Sequence, residues 1–230
     1  MNGFSAARDT FARLGPTNGL LYLVACALAT ASRGRCGLFK YHFVAQPVPR
    51  ERLVGLPRTS SVRFRTVSSD DAVVSRFPRP PGVIAARFAD GATCLVAEKD
   101  GELAAFIWLK LESYDEDEVR CRYVLAPDVA WDFDAWIAPR FRMGRMFVQL
   151  WDAANDLLRT HGRRWSASRI SAFNPVSLAS HARFGTVRLM SAVFVVLGPF
   201  QLSLLSRPPY LHCSVRNGQP TLAFHAPAPP

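Results

Sequence analysis

Between Thr93 and Leu197 the hydrophobic pattern switches repeatedly between strand and helix periods, and that order restricts the fold more than any other feature of the chain. Thr93 to Glu98 and Leu103 to Lys110 are strand-like runs joined by Lys99-Asp100-Gly101-Glu102, and an Asp-Gly pair between two such runs is a strong hairpin signal. Strand candidates follow at Val119 to Leu125 and Trp131 to Ile137, the second closed by Pro139. From Met143 the period becomes helical. Met143, Met146, Phe147, Leu150, Trp151 and Ala154 fall at i, i+3, i+4, i+7 spacing, polar residues take the other face, and Gly162 ends the helix. Trp165 to Ile170 returns to a strand, Pro175 to Phe184 reads as a short helix capped by Asn174 and stopped by Gly185, and Val187 to Leu197 is a long apolar strand. The order is that of an α+β fold.

The flanks are less regular. Residues 1–60 read as an N-terminal helix near Leu20 to Ala31, a mixed segment at Tyr41 to Val44 and a linker through Pro47, Pro49 and Pro57. Residues 61–199 form the main domain, opening on the alternating strand Val62 to Val67, and residues 200–230 are expected to be a partly disordered tail. The apolar stretch from Leu20 to Ala31 falls short of the ~20 residues that cross a bilayer. It is expected to pack on the domain, with peripheral membrane contact through residues 20–31 as the alternative; Arg8 and Arg13 ahead of it also imitate a cleaved leader.

With 230 residues and a net charge of +10, the chain suits an anionic ligand or surface. Its arginines are scattered among apolar residues, and no groove-reading motif points to specific nucleic-acid binding. Five cysteines without CxxC or Cys/His metal spacing fit a reduced, cytoplasmic setting and no metal site. Serine-hydrolase, P-loop and dinucleotide fingerprints are absent.

Where the strand ending at Pro139 gives way to the long helix, Arg140, Arg142 and Arg145 surround a positive helix end, a natural seat for a diphosphate. The segment Pro139-Arg140-Phe141-Arg142-Met143-Gly144-Arg145-Met146-Phe147 resembles the acyl-CoA loop of the Gcn5-related N-acetyltransferase superfamily, P-x-Y-R-G-x-G-x-G. A second segment, Asn174 to Gly185, resembles that family's N-x-x-S-x-x-x-Y-x-K-x-G element, and the likeness covers about Val62 to Gly198. The resemblance implies a central mixed, largely antiparallel sheet flanked by helices, and transfer of an acyl group from acetyl-CoA or another acyl-CoA to a small-molecule or peptide amine by direct attack. It assigns Arg142, Met143, Gly144, Arg145, Met146, Phe147, Asn174 and Ser177 to the cofactor. The departures are as informative: aligned on Arg142, two of the family's glycines are replaced by Arg145 and Phe147, and aligned on Gly144, the family's Arg/Gln position becomes Phe141 and the last glycine Met146; side chains there narrow the cleft in either alignment.

His181 stands where the family has a tyrosine that protonates the departing thiolate; the alternative is a packed polar residue. Asp134, and less so Asp132, are the candidates to accept the amine proton, and both are expected on one side of their strand; the alternative pairs either with an arginine. The acidic run Tyr114 to Glu118 is read as a solvated loop or a lure for a cationic amine. A non-catalytic module docking on an anionic membrane or a partner protein is the competing function.

Overall fold

The Asp-Gly hairpin forms as the sequence dictates. In the computed structural model, which describes residues 3–53, 61–142 and 144–227, Asp100 and Gly101 both take positive φ (53° and 79°), the conformation a two-residue turn needs. The elements in chain order are α1 (Gly3–Ala31), β1 (Cys36–Pro47), β2 (Val62–Val67), a 3-10 turn at Ala72–Arg76, α2 (Pro81–Ala89), β3 (Thr93–Lys99), β4 (Glu102–Lys110), β5 (Ser113–Asp115), β6 (Arg122–Leu125) and β7 (Val129–Ile137). A second 3-10 turn (Pro139–Phe141) precedes α3 (Met146–Thr160), followed by β8 (Trp165–Ser171), α4 (Pro175–Ala182), β9 (Val187–Leu197), β10 (Phe200–Leu205), β11 (Leu211–Val215) and β12 (Thr221–Phe224). The fold is α+β, with helices flanking largely antiparallel sheet.

Two compact units divide the chain: residues 1–46, 114–124 and 167–230 form the first, and residues 47–113 and 125–166 the second. In the second, β2, β3, β4 and β7 lie side by side, each antiparallel to its neighbour. Cys94, Val96, Phe106 and Trp108 on one face of this sheet join Val73, Phe77 and Ile84 in a buried cluster, with Phe77 stacked on Phe106 at 4.5 Å. Leu95, Ile107 and Leu109, which alternate with them, are buried too, and α3 packs against β3, β4 and β7. Burial of both faces explains why β4 reads as one unbroken apolar run.

The first unit contains what the sequence left outside the main domain. Its strands run in the order β8, β1, β9, β10, β11, and β1 pairs with β9 from Cys36↔Leu197 to Ala45↔Val187. The boundaries read at residues 60 and 199 are therefore corrected: β1 is an internal strand, and the C-terminal residues expected to be partly disordered supply β10, β11 and β12. Pro57, assigned to the linker, lies outside the described residues. The N-terminal helix is also longer than the dozen residues expected. It runs from Gly3 to Ala31, broken at Gly15 (φ 75°, ψ 170°) ahead of Pro16, and by length and composition alone it suffices to cross a membrane.

Candidate functional site

The junction between β7 and α3 carries the residues assigned to the cofactor diphosphate, all in the second unit. The helix does not begin where the periodicity placed it. Pro139 starts a 3-10 turn in which Phe141 N donates to Ala138 O (2.8 Å), Arg142 N to Pro139 O (3.3 Å) and Gly144 N to Phe141 O (3.3 Å). Those amides are spent on local carbonyls, and α3 starts at Met146, with Gln149 N donating to Arg145 O (2.9 Å). The donors of an anion site here are consequently those of the first turn of α3, together with the arginines around it. Arg142 is exposed and donates its Nε to Ile137 O (3.1 Å); Arg145 is an exposed N-cap; Met146 is buried and Phe147 half-buried. Met143 lies outside the described residues. Arg140, by contrast, is paired with Glu102 and lies over the Phe141 ring, whose centroid also sits 5.5 Å from Lys99 Nζ.

Asp134 occupies a β-bulge. Phe106 pairs with Trp136 and Trp108 with Phe133, so two β7 residues oppose one of β4, and Asp134 takes φ 47°. The bulge corrects the expectation that Asp132 and Asp134 share one side of a regular strand, because the alternation of side chains is broken between them. The arginine pairing left open for either aspartate is seen at Asp134. Asp132 is buried and accepts a hydrogen bond from Ser166 Oγ (2.6 Å), whereas Asp134 bridges two guanidiniums: Arg79, whose Nε donates at 2.9 Å, and Arg87. Arg87 in turn lies over the Trp108 and Phe133 rings at 5.4 and 5.2 Å.

The remaining assigned residues lie in the first unit, on and before α4. Asn174 is the N-cap the sequence indicated, its Oδ1 accepting from Ser177 N at 3.0 Å. Capping accounts for this pair without any ligand. His181, one turn beyond Ser177, faces inward and is 9% exposed. Burial lowers its imidazole to about 4, so at neutral pH it is almost wholly unprotonated.

With this geometry in hand, the solved structures provide a comparison. The chain is similar to Gcn5-related acetyltransferases. One, from Novosphingobium aromaticivorans and described as an acetyltransferase of that family, is 12% identical, with 68% of this chain and 62% of that one covered at a TM-score of 0.46. A tandem Gcn5-related protein from the clavulanic acid biosynthesis pathway is 16% identical, with 78% and 58% covered at 0.49. A conserved protein of unknown function from Staphylococcus epidermidis is 12% identical, with 74% and 66% covered at 0.48. The chain spans less than two thirds of the length of each of these three. No family model and no curated protein matches.

One cluster in the first unit escaped the sequence reading. The acidic run 114–118 is largely engaged by protein: Arg169 on β8 donates Nε to Glu116 Oε2 (2.6 Å) and Nη2 to Glu116 Oε1 (2.7 Å), and Nη2 lies 2.8 Å from Glu118 Oε2. Tyr123 and Tyr41 donate to Glu116 (3.2 Å) and Glu118 (2.6 Å), and the Arg169 guanidinium lies 4.4 Å over the Tyr41 ring. Burial pushes the Glu116 carboxyl up to about 7 against the pull of Arg169. The same carboxylates hold the Arg169 guanidinium well above its usual range. The signal in the sequence was four consecutive acids in a basic chain; what it lacked was the identity of the cation, 53 residues away.

Proposed function

We propose that this chain is an N-acyltransferase that takes acetyl-CoA or another acyl-CoA as co-substrate and passes the acyl group to an amine by direct attack. The observation that carries this reading is the junction from bulged β7 through a tight turn into α3: a positive helix end, with Arg142 and Arg145 exposed around it, at the place where the sequence resembles the acyl-CoA loop. Arg142 and Arg145, with the first-turn amides at Met146 and Phe147, would hold the diphosphate, and Gly144 keeps the turn free of a side chain.

In this reading His181 acts at the leaving group. Its low pKa reflects burial alone, and a thiolate developing beside it would raise it. Asp134 then serves as the anchor that fixes Arg79 and Arg87 rather than as the base, and the amine reaches the site already neutral or loses its proton through water.

Thermal unfolding of the full chain with and without millimolar acetyl-CoA or a longer acyl-CoA tests the cofactor claim, since a ligand of the folded state alone stabilises by RT ln(1 + [L]/Kd). A rise in Tm that Arg142→Ala abolishes without lowering the ligand-free Tm is the expected outcome. The competing reading, a binding module without catalysis, is favoured by the amides already spent in the 3-10 turn and by Arg145 and Phe147 at glycine positions; no shift with either ligand would overturn the acyl-CoA reading.

A further inference from the structure

The sheet of the first unit is inverted. In β10 and β11 the polar residues Gln201, Ser203 and Ser214 are buried, while Leu204, Leu211 and Val215 are 45%, 59% and 61% exposed. Register makes the exposed side continuous: Leu197, Phe200 and Val215 form one row across β9, β10 and β11, and Val193, Leu204 and Leu211 another. A half-covered antiparallel sheet ordinarily turns its polar residues to water.

Helix α1 extends this surface. Ser32 Oγ accepts from Cys36 N (2.8 Å) and Lys40 Nζ donates to Asn18 Oδ1 (2.8 Å), so the second half of α1 runs along β1, and it turns Leu20 and Val24 outward. No residue from Leu14 to Ser32 is charged.

Charge decides what this surface fits. The segments that build it, residues 10–50 and 157–230, contain no Asp or Glu, and the first unit holds twelve Lys and Arg against five Asp and Glu, +7 of the chain's +10. One end of the face is basic: Gly198 N donates to Arg35 O (3.2 Å) and Arg216 N to Pro199 O (2.7 Å), which gathers exposed Arg33, Arg35 and Arg216 around the β9–β10 turn.

We propose that the outer side of α1 and the exposed face of β9, β10 and β11 together dock on an anionic lipid bilayer, apolar side chains entering the interface and Arg33, Arg35 and Arg216 meeting the headgroups. A second copy of the chain would set the same acid-free, basic surface against itself. Spanning is disfavoured by the break at Gly15, after which the unbroken helix rises only about 24 Å against a hydrocarbon core of about 30 Å, and by the ties of Asn18 to Lys40 and of Tyr22 to Phe173.

Co-sedimentation of the purified full chain with phosphatidylcholine vesicles, with and without about 30 mol% phosphatidylglycerol, tests this. Partition should rise about tenfold or more with the anionic lipid and fall in about 0.5 M salt. Leu20→Asp with Val24→Asp, and separately Leu211→Asp with Val215→Asp, should each lower it about tenfold. Tm should not change, because all four side chains face water in the free protein. Equal binding to neutral vesicles overturns the proposal, as does a β11 pair without effect, which would leave α1 acting alone. Resistance to alkaline carbonate extraction would mean a spanning helix, and concentration-dependent dimers lost in the same variants would mean a second copy; either replaces the proposal. Acetyl-CoA binding is untouched by any of these outcomes, so the two readings fail separately.

Discussion

Two carboxylates of this protein sit against arginine, one in each unit, and their surroundings make them opposites. Asp134 in the second unit is one anion between two guanidiniums, Arg79 and Arg87. Glu116 in the first is one of three successive acids around a single guanidinium, Arg169. Around Asp134 cations are in excess, and the carboxylate binds them together. Around Glu116 anions are in excess and the carboxylate side chain is fully buried, so burial raises its affinity for a proton. Contact with arginine therefore does not fix what a carboxylate does; the local balance of charge and water does.

Removing the single cation should break this contrast most severely. Arg169→Met leaves Glu116 buried without its guanidinium, and chemical denaturation should show a loss of about 3–5 kcal/mol, largely recovered by adding Glu116→Gln. Recovery failing in the double variant would show that Arg169 acts through its packing on Tyr41 instead.

Titration separates the regions next. Glu116 is raised from 4.5 to about 7, so the folded state holds that proton more tightly; its contribution is fully present below pH 4.5 and is lost as pH rises through 7. His181 is lowered from 6.5 to about 4, so its contribution is present above pH 6.5 and is lost as pH falls through 4. Between pH 4.5 and 6.5 the two oppose each other. Glu116→Gln should uncover stability that rises with pH across that window, and His181→Gln stability that falls, each by up to about 3 kcal/mol in urea melts at stepped pH. Unchanged slopes would remove the titration argument.

Asp134→Asn should cost less than the Arg169 change, about 1–3 kcal/mol, because the Arg79 side chain is 31% exposed and water can take over part of its solvation. If Asp134 anchors, any acyl transfer should fall without a shift in its pH profile; a lost acidic limb would restore it as the proton acceptor. The smallest effect belongs to the α4 cap. Asn174→Ala should lower stability by about 1 kcal/mol, read as a small fall in Tm, and any larger fall in acyl-CoA affinity would mark a cofactor role beyond the cap.

Much of the candidate site was legible because its signals are local. Asn174 precedes the helix it caps by one residue, and Asp100-Gly101 can hardly do other than turn. The start of α3 was misplaced by three residues for an equally local reason: Met143 fits the helical period, but Pro139 initiates a tighter turn that consumes the intervening residues. The bulge at Asp134 was hidden because an extra residue in β7 shows only against the register of β4.

By itself the sequence determined which residues of α3 share a face, where the Asp100-Gly101 hairpin turns, and where α3 and α4 begin and end within a turn. Those follow from backbone geometry and side-chain period, which neighbours in the chain set. The tertiary structure alone decided that β1 enters the sheet beside β9, that Arg169 answers the acidic run, and that Leu204 of β10 and Leu211 of β11 face outward while Ser203 and Ser214 are buried. Alternation yields two faces and is silent on which one is covered; that is settled by which distant strands arrive, and their pairing rests on contacts that no local pattern contains.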